Sequence, residues 1–267
     1  MSSTKKRIAV KVGTSTLTHE GGTLNLRSME YLVRVLSDLK NMGHDIILVS
    51  SGAIAVGVQK LRLPGRPAEL RLKQAAAAVG QCELMHLYDK FFSEYNVTVG
   101  QILLTREDVE RPTVRENLLN TLHAILELGA IPVINENDSV SHEEIESREH
   151  IFGDNDTLSA VVADMCAADI LVLLSDIDGM YEADPRENPE AKLIPVIRTL
   201  DDTLRARAMG AGSARGVGGM ITKLQAAEIC MAAGIDMVIT HGAKPEVLYD
   251  IAAGTPVGTL FVGREEA

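Results

Sequence analysis

The chain has 267 residues, 46% hydrophobic and 24% charged, which suits one large α/β domain or two modest ones and excludes extensive disorder. A formal charge of −11, no Trp and only 3% aromatics exclude a polyanion-binding surface and a base-stacking platform, so nucleic acid is not an expected partner. An anionic substrate would need individually placed cations working against the overall field.

Short β-branched runs alternate with longer amphipathic ones, the pattern of a mainly parallel sheet covered by helices. The start, "MSSTKKRIAVKVG", is too short and too broken by Lys11 to be a signal peptide or anchor. Its apolar part, 7–12, reads as the first strand. A helix follows over 26–43, with Met29, Leu32, Val33, Leu36 and Leu39 on one face and Gly43 placed to end it. The second strand is 45–50, a long helix covers 68–95, and a third strand spans 97–105. Another helix, 114–129, leads to a strand at 130–135. The charged stretch 139–152 lacks helical period and is expected as a protruding hairpin or lid.

Beyond it, a helix at about 157–167 precedes a strand at 169–175. Residues 193–200 look like a further strand. The Gly-rich 209–220 is read as a loop before a helix over 221–234, and strands at 235–240 and 258–263 finish the sheet. No run approaches the roughly 20 apolar residues that span a bilayer. Cys82, Cys166 and Cys230 have no CxxC spacing and are read as buried thiols of a reducing compartment. The seven histidines show no HExxH pairing, so no protein-held metal is expected. A cytoplasmic protein is expected, as one compact domain of two lobes, about 1–168 and 169–267.

The polar residues of interest fall where strands end: Lys11 to Ser15, Ser50 to Gly52, Asn135 to Asp138, and Ser175 with Asp176. In a parallel sheet those ends share the edge where ligands bind. Turns after strands are polar anyway, which accounts for Asn135 or Asp138 singly but poorly for Lys11. A lysine among strand-core residues either snorkels from an edge or meets an anion, because unpaired burial of its ammonium is costly. Lys223 poses the same question. It follows "GVGG" near a helix N-terminus, where a cation is mildly unfavourable but a bound phosphate is not.

The segment "GDNDTLSA", 153–160, reads first as a helix cap. An acidic triplet there could equally serve a site. "DIDGMYEADP" lacks the acidic twelfth position of a calcium loop, and "GAGSARG" has no strand leading into Ser213.

The strings "VKVGTSTLT", "ILVSSGAIAVG", "PVINENDSV", "FGDNDTLSA", "LLSDIDGMYEADPRENPEA" and "GVGGMITKLQAAEICMAAGID", in this order, resemble the amino acid kinase family. They match its branch acting on the side-chain carboxylate of glutamate, from about residue 7 to 262. The resemblance implies a three-layer αβα sandwich around a mainly parallel sheet, with the amino acid in the N-terminal lobe and ATP in the C-terminal one. It makes Lys11 and Lys223 the lysines flanking the migrating phosphoryl group, with Asp156 organising them and Asp154 beside it as cap and further catalytic member. Ser51, Gly52, Asn135, Asp138 and Asn155 match amino-acid-binding positions. ATP-binding positions fall at Lys11, Gly13, Thr14, Ser175 and Asp176, and along Val217, Gly218, Gly219, Met220, Ile221, Thr222 and Lys223. Many members of the family carry a C-terminal PUA domain, and none is expected here.

The implied reaction moves the γ-phosphoryl of ATP to L-glutamate, the first step toward proline, with Mg²⁺ entering on ATP. L-proline as feedback inhibitor, functional coupling to glutamyl phosphate reductase, and homo-oligomerisation are further family expectations. Rival readings are another small-molecule kinase of this fold, acting on aspartate, acetylglutamate or a nucleoside monophosphate, and a catalytically silent sensor.

Overall fold

A computed structural model describes residues 5–19, 21–140, 155–185, 188–202, 204–205 and 217–263. Eight strands form a mainly parallel central sheet with helices around it, as the alternating pattern predicts. The chain groups into two compact units, Val12–His150 and Met1–Lys11 with Ile151–Ala267.

In the unit Val12–His150, α1 is a short turn at Thr14–Leu17 and α2 spans Leu26–Asn41. Asn25 caps α2 by accepting from the Ser28 N–H at 3.1 Å. Its buried stripe contains the five apolar residues expected, and Gly43 leaves the helix at φ +102°. Strand β2 (Asp45–Ser50) runs parallel to β4 (Ile131–Glu136), and β4 runs parallel to β3 (Val99–Leu104), giving the order β3-β4-β2. The helices α3 (Ala53–Lys60), α4 (Leu70–Ser93), α5 (Arg106–Glu110) and α6 (Pro112–Glu127) complete this unit. α6 starts on a proline, whose missing N–H costs nothing in a first turn. A capping box between Thr105 and Asp108 opens α5.

α3 and α4 touch through glycines. A Cβ on Gly57 would lie 1.7 Å from the Ala76 carbonyl oxygen, and one on Gly80 would lie 1.8 Å from that of Ala53. No side chain fits between backbones that close, so the position of α3 is set by α4.

The other unit orders its strands β1-β5-β7-β8-β6, from β1 (Arg7–Val12), β5 (Ile170–Ser175), β6 (Val196–Ile197), β7 (Asp236–His241) and β8 (Thr259–Phe261). β7 and β8 pair antiparallel, whereas β2 with β4, β3 with β4, β5 with β7 and β6 with β8 pair parallel. Three helices belong here: α7 (Asn155–Met165), α8 (Val217–Ala232) and α9 (Val247–Ala252). Thr259 fastens β8 to the loop after β5: its Oγ1 accepts from Met180 N–H at 2.8 Å and donates to Ile194 O at 2.6 Å.

Three expectations change. The helix after the Gly-rich stretch begins at Val217, so Gly218 and Gly219 form its first turn and Lys223 is its seventh residue, in the second turn. α7 begins at Asn155, which places Asn155 and Asp156 inside its first turn instead of ahead of it. Cys166 and Cys230 are buried, but Cys82, on α4, is exposed. The expected hairpin or lid at 139–152 falls almost wholly outside the described residues, as does Asp154.

Candidate active site

Two cations and one anion are buried together in the unit formed by Met1–Lys11 and Ile151–Ala267. Lys11, fifth residue of β1, is 8% exposed, Lys223 on α8 is 9% exposed, and Asp156 on α7 is 1% exposed. Lys11 Nζ lies 2.5 Å from Asp156 Oδ1, and Lys223 Nζ lies 2.9 Å from Asp156 Oδ2. Each carboxylate oxygen holds one ammonium. Three residues far apart in sequence are thus gathered by one side chain.

Local structure explains each placement. Asp156 sits in the first turn of α7, where the helix dipole favours negative charge. Ser159 donates back to its carbonyl at 2.6 Å. Helical side chains lean toward the helix N-terminus, so the Lys223 ammonium lies a turn earlier than its Cα and also donates to Gly219 O at 3.1 Å. The Thr222 hydroxyl is 3.3 Å from Asp156 Oδ2 and 3.1 Å from Gly219 O. Burial pushes the Asp156 carboxyl up, but the Lys11 and Lys223 ammonium groups outweigh it and hold the group below the usual carboxylate range.

Among the described ion pairs, two ammoniums against one carboxylate leave one positive charge over, in a chain whose formal charge is −11. Burying unbalanced charge is expensive, and an anion arriving at the lysines would offset that cost. In the same unit, Ser175 is buried at the end of β5 and donates to the exposed Asp176 Oδ1 at 3.1 Å. Gly219 to Thr222 line the first turns of α8, which Val217 and Gly218 open.

Asn155 is in that unit too, as the first residue of α7, whereas Ser51, Gly52, Asn135 and Asp138, with Gly13 and Thr14, lie in the unit Val12–His150. The Ser51 N–H donates to Val12 O at 3.2 Å. Gly52 adopts φ +101° to turn the chain into α3, and a Cβ there would meet Thr14 at 3.8 Å, so Gly13 and Thr14 adjoin the Ser51–Gly52 turn. Asn135 is 1% exposed. Its Oδ1 accepts from Glu136 N–H and its Nδ2 donates to Gln81 Oε1, both at 2.9 Å. Asp138 is half-buried beyond the end of β4. Behind β2, Ser50 Oγ and the fully buried Tyr88 hydroxyl lie 2.8 Å apart, and burial pushes the Tyr88 phenol far up.

Sequence reading missed Gln81, Tyr88 and Ser159. Of the three, only Gln81 left a trace, as a polar residue closing the small-residue run "AAAAVGQ". Both Asp156 oxygens are committed to lysines, so this carboxylate does not fit as a metal ligand. Among the described residues no group of three His, Cys, Asp or Glu could hold a metal ion. Nor, among them, is any helix long and apolar enough to cross a membrane.

The mainly parallel sheet agrees with what comparison finds: the amino acid kinase family profile matches residues 6–241, and the chain belongs to that family. Within it, the chain is 52% identical over 260 residues to the glutamate 5-kinase of Clostridium perfringens, covering 97% of this chain and 96% of that protein. It is 51% identical over 263 residues to the glutamate 5-kinase of Listeria innocua, covering 98% of this chain and 94% of that one. Among solved structures, the carbamate kinase from Giardia lamblia aligns with a TM-score of 0.68 at 14% identity, over 99% of this chain and 100% of that one. The UMP kinase from Ureaplasma parvum aligns at 0.64 and 14%, over 97% and 99%. At such identity these two establish the fold alone.

Proposed function

We propose that this chain phosphorylates the side-chain carboxylate of L-glutamate with ATP, giving L-glutamyl 5-phosphate, the first intermediate toward proline. The observation carrying the reading is the buried Lys11–Asp156–Lys223 cluster, with its surplus positive charge, in a chain 52% identical to a glutamate 5-kinase.

The chemistry follows from charge. A glutamate side chain, with a pKa of about 4.3, is already ionised at neutral pH and needs no general base. One of its oxygens forms the new bond to the γ-phosphorus as the bond from that phosphorus to the β–γ bridging oxygen breaks. ADP leaves with the electron pair. Catalysis of such a transfer is chiefly positioning and stabilisation of charge spread over the phosphoryl oxygens. Lys11 and Lys223 are assigned that stabilisation. Asp156 fixes both ammoniums beforehand, so little reorganisation is left for the moment of transfer.

Ser51, Gly52, Asn135, Asp138 and Asn155 are assigned to the amino acid. Neutral donors and carboxylates among them suit a substrate carrying both an ammonium and carboxylates. Gly13, Thr14, Ser175, Asp176 and the start of α8 are assigned to ATP, and Asp154 to catalysis with Asp156. Mg²⁺ would come with ATP, held by phosphate oxygens and water, and would neutralise part of their charge. The product is an acyl phosphate prone to hydrolysis, which supports coupling to a glutamyl phosphate reductase. A cytoplasmic location, a homo-oligomer and feedback by L-proline complete the proposal.

The test is ADP release over a panel of acids with hydroxylamine trapping of any acyl phosphate. ADP and hydroxamate formed together with L-glutamate, and not with L-aspartate, acetylglutamate or UMP, are expected. Turnover confined to another acceptor would overturn the assignment.

A further inference from the structure

The substrate-side unit must hold an anionic amino acid, yet the segments closing β2 and β4, 50–52 and 135–138, contain neither Lys nor Arg. Its carboxylate has to be met by neutral donors. Asn135, by resemblance one of those donors, has its amide largely engaged. Oδ1 accepts from the backbone N–H of Glu136 at 2.9 Å, and a backbone N–H can only donate. That fixes the orientation of the amide, turning Nδ2 toward Gln81 Oε1 at 2.9 Å. Gln81 in turn must face Asn135 with its oxygen. Its Nε2, with two hydrogens, is left pointing away, and among the described residues the bond to Asn135 is the hydrogen bond that the Gln81 side chain makes. Gln81 is half-buried, so these donors are neither sealed in the core nor fully in water.

The backbone carrying Gln81 is rigid. Its neighbour Gly80 lies against the Ala53 carbonyl too closely for any Cβ, and Ala53 is the first residue of α3, directly after Ser51 and Gly52. Seven residues on, and so on the same face of α4, Tyr88 reaches Ser50. The register pairing Val49 with Ile134 carries Ser50 alongside Asn135. One face of α4 therefore meets the carboxyl ends of two neighbouring strands, and Gln81 on that face has donors to spare.

We infer that Gln81 is a further substrate-binding residue, whose Nε2 donates to the α-carboxylate of the acceptor amino acid. This rests on the glutamate reading above. The α-carboxylate is the fitting partner because a hydrogen bond to the reacting carboxylate would draw charge from the nucleophile.

Gln81→Glu separates this role from a purely structural one. The variant keeps an acceptor for Asn135 Nδ2 but replaces the outward donors with a charge of the wrong sign. Gln81→Met removes acceptor and donors together. The expected result is a KM for L-glutamate raised about 10-fold or more in both, and further in Gln81→Glu. KM for ATP and the melting temperature of Gln81→Glu should stay near wild type. With 4-aminobutyrate, which lacks the α-carboxylate, Gln81→Glu and wild type should differ far less than they do with L-glutamate. An active Gln81→Glu enzyme with unchanged KM for L-glutamate overturns the inference and leaves the glutamate reading standing. A wild-type enzyme forming no hydroxamate from L-glutamate overturns both.

Discussion

Asp156 has both of its oxygens occupied by buried ammoniums, so replacing it is more than loss of a helix-terminal charge. Asp156→Asn leaves Lys11 and Lys223 close together, buried and without a counter-charge. Breaking a buried ion pair in this way costs about 3–5 kcal/mol. Turnover should fall with it, because the lysines lose the group that orients them. A lower melting temperature with turnover per folded molecule unchanged would reduce Asp156 to a structural cap. The carboxyl also has a pH signature. Its folded pKa lies below the ordinary 3.8, so the stability from its ionisation is present above that value and is lost as pH falls through the lower folded one. Below about pH 4, wild type should lose stability more steeply than Asp156→Asn; parallel acid limbs in chemical denaturation would contradict the clamp.

Packing of α3 on α4 is where an element-scale change reaches the site. In Gly80→Ala the added methyl would stand 1.8 Å from the Ala53 carbonyl oxygen, and only backbone movement can relieve that. A loss of about 1–3 kcal/mol or more in thermal unfolding is expected, with a raised KM for L-glutamate because α3 opens on the Ser51–Gly52 turn. A melting temperature and KM both at wild-type values would show that the two helices are not so fixed. Nothing in the sequence announced this contact, since a glycine in an alanine-rich helix has no period to betray its neighbour. Longer elements were legible: β1 occupies 7–12 and β2 occupies 45–50 as read, and α2 buries its expected stripe. The short helices α1, α3 and α5, of four, eight and five residues, went unread because an amphipathic pattern needs more turns to register. Gly218 and Gly219 were read as loop from their low helix propensity, and the fold places them in the first turn of α8.

Across the whole molecule, a chain of net charge −11 acting on an anionic donor and an anionic acceptor depends on a few cations held in place. Lys11 and Lys223 were legible as oddities, one inside a strand and one near the start of a helix. Their convergence on Asp156 was not, because contacts across 145 and 67 positions of sequence leave no local pattern, and it came only from family resemblance. The measurement that tests the account most directly is hydroxamate formation from L-glutamate at saturating ATP by Lys11→Ala and Lys223→Ala, each confirmed as folded by circular dichroism. Turnover lower than wild type by roughly 100-fold or more is predicted for each, the scale on which a charge-stabilising donor acts. Near-normal turnover in either folded variant would remove that lysine from phosphoryl transfer and contradict the account.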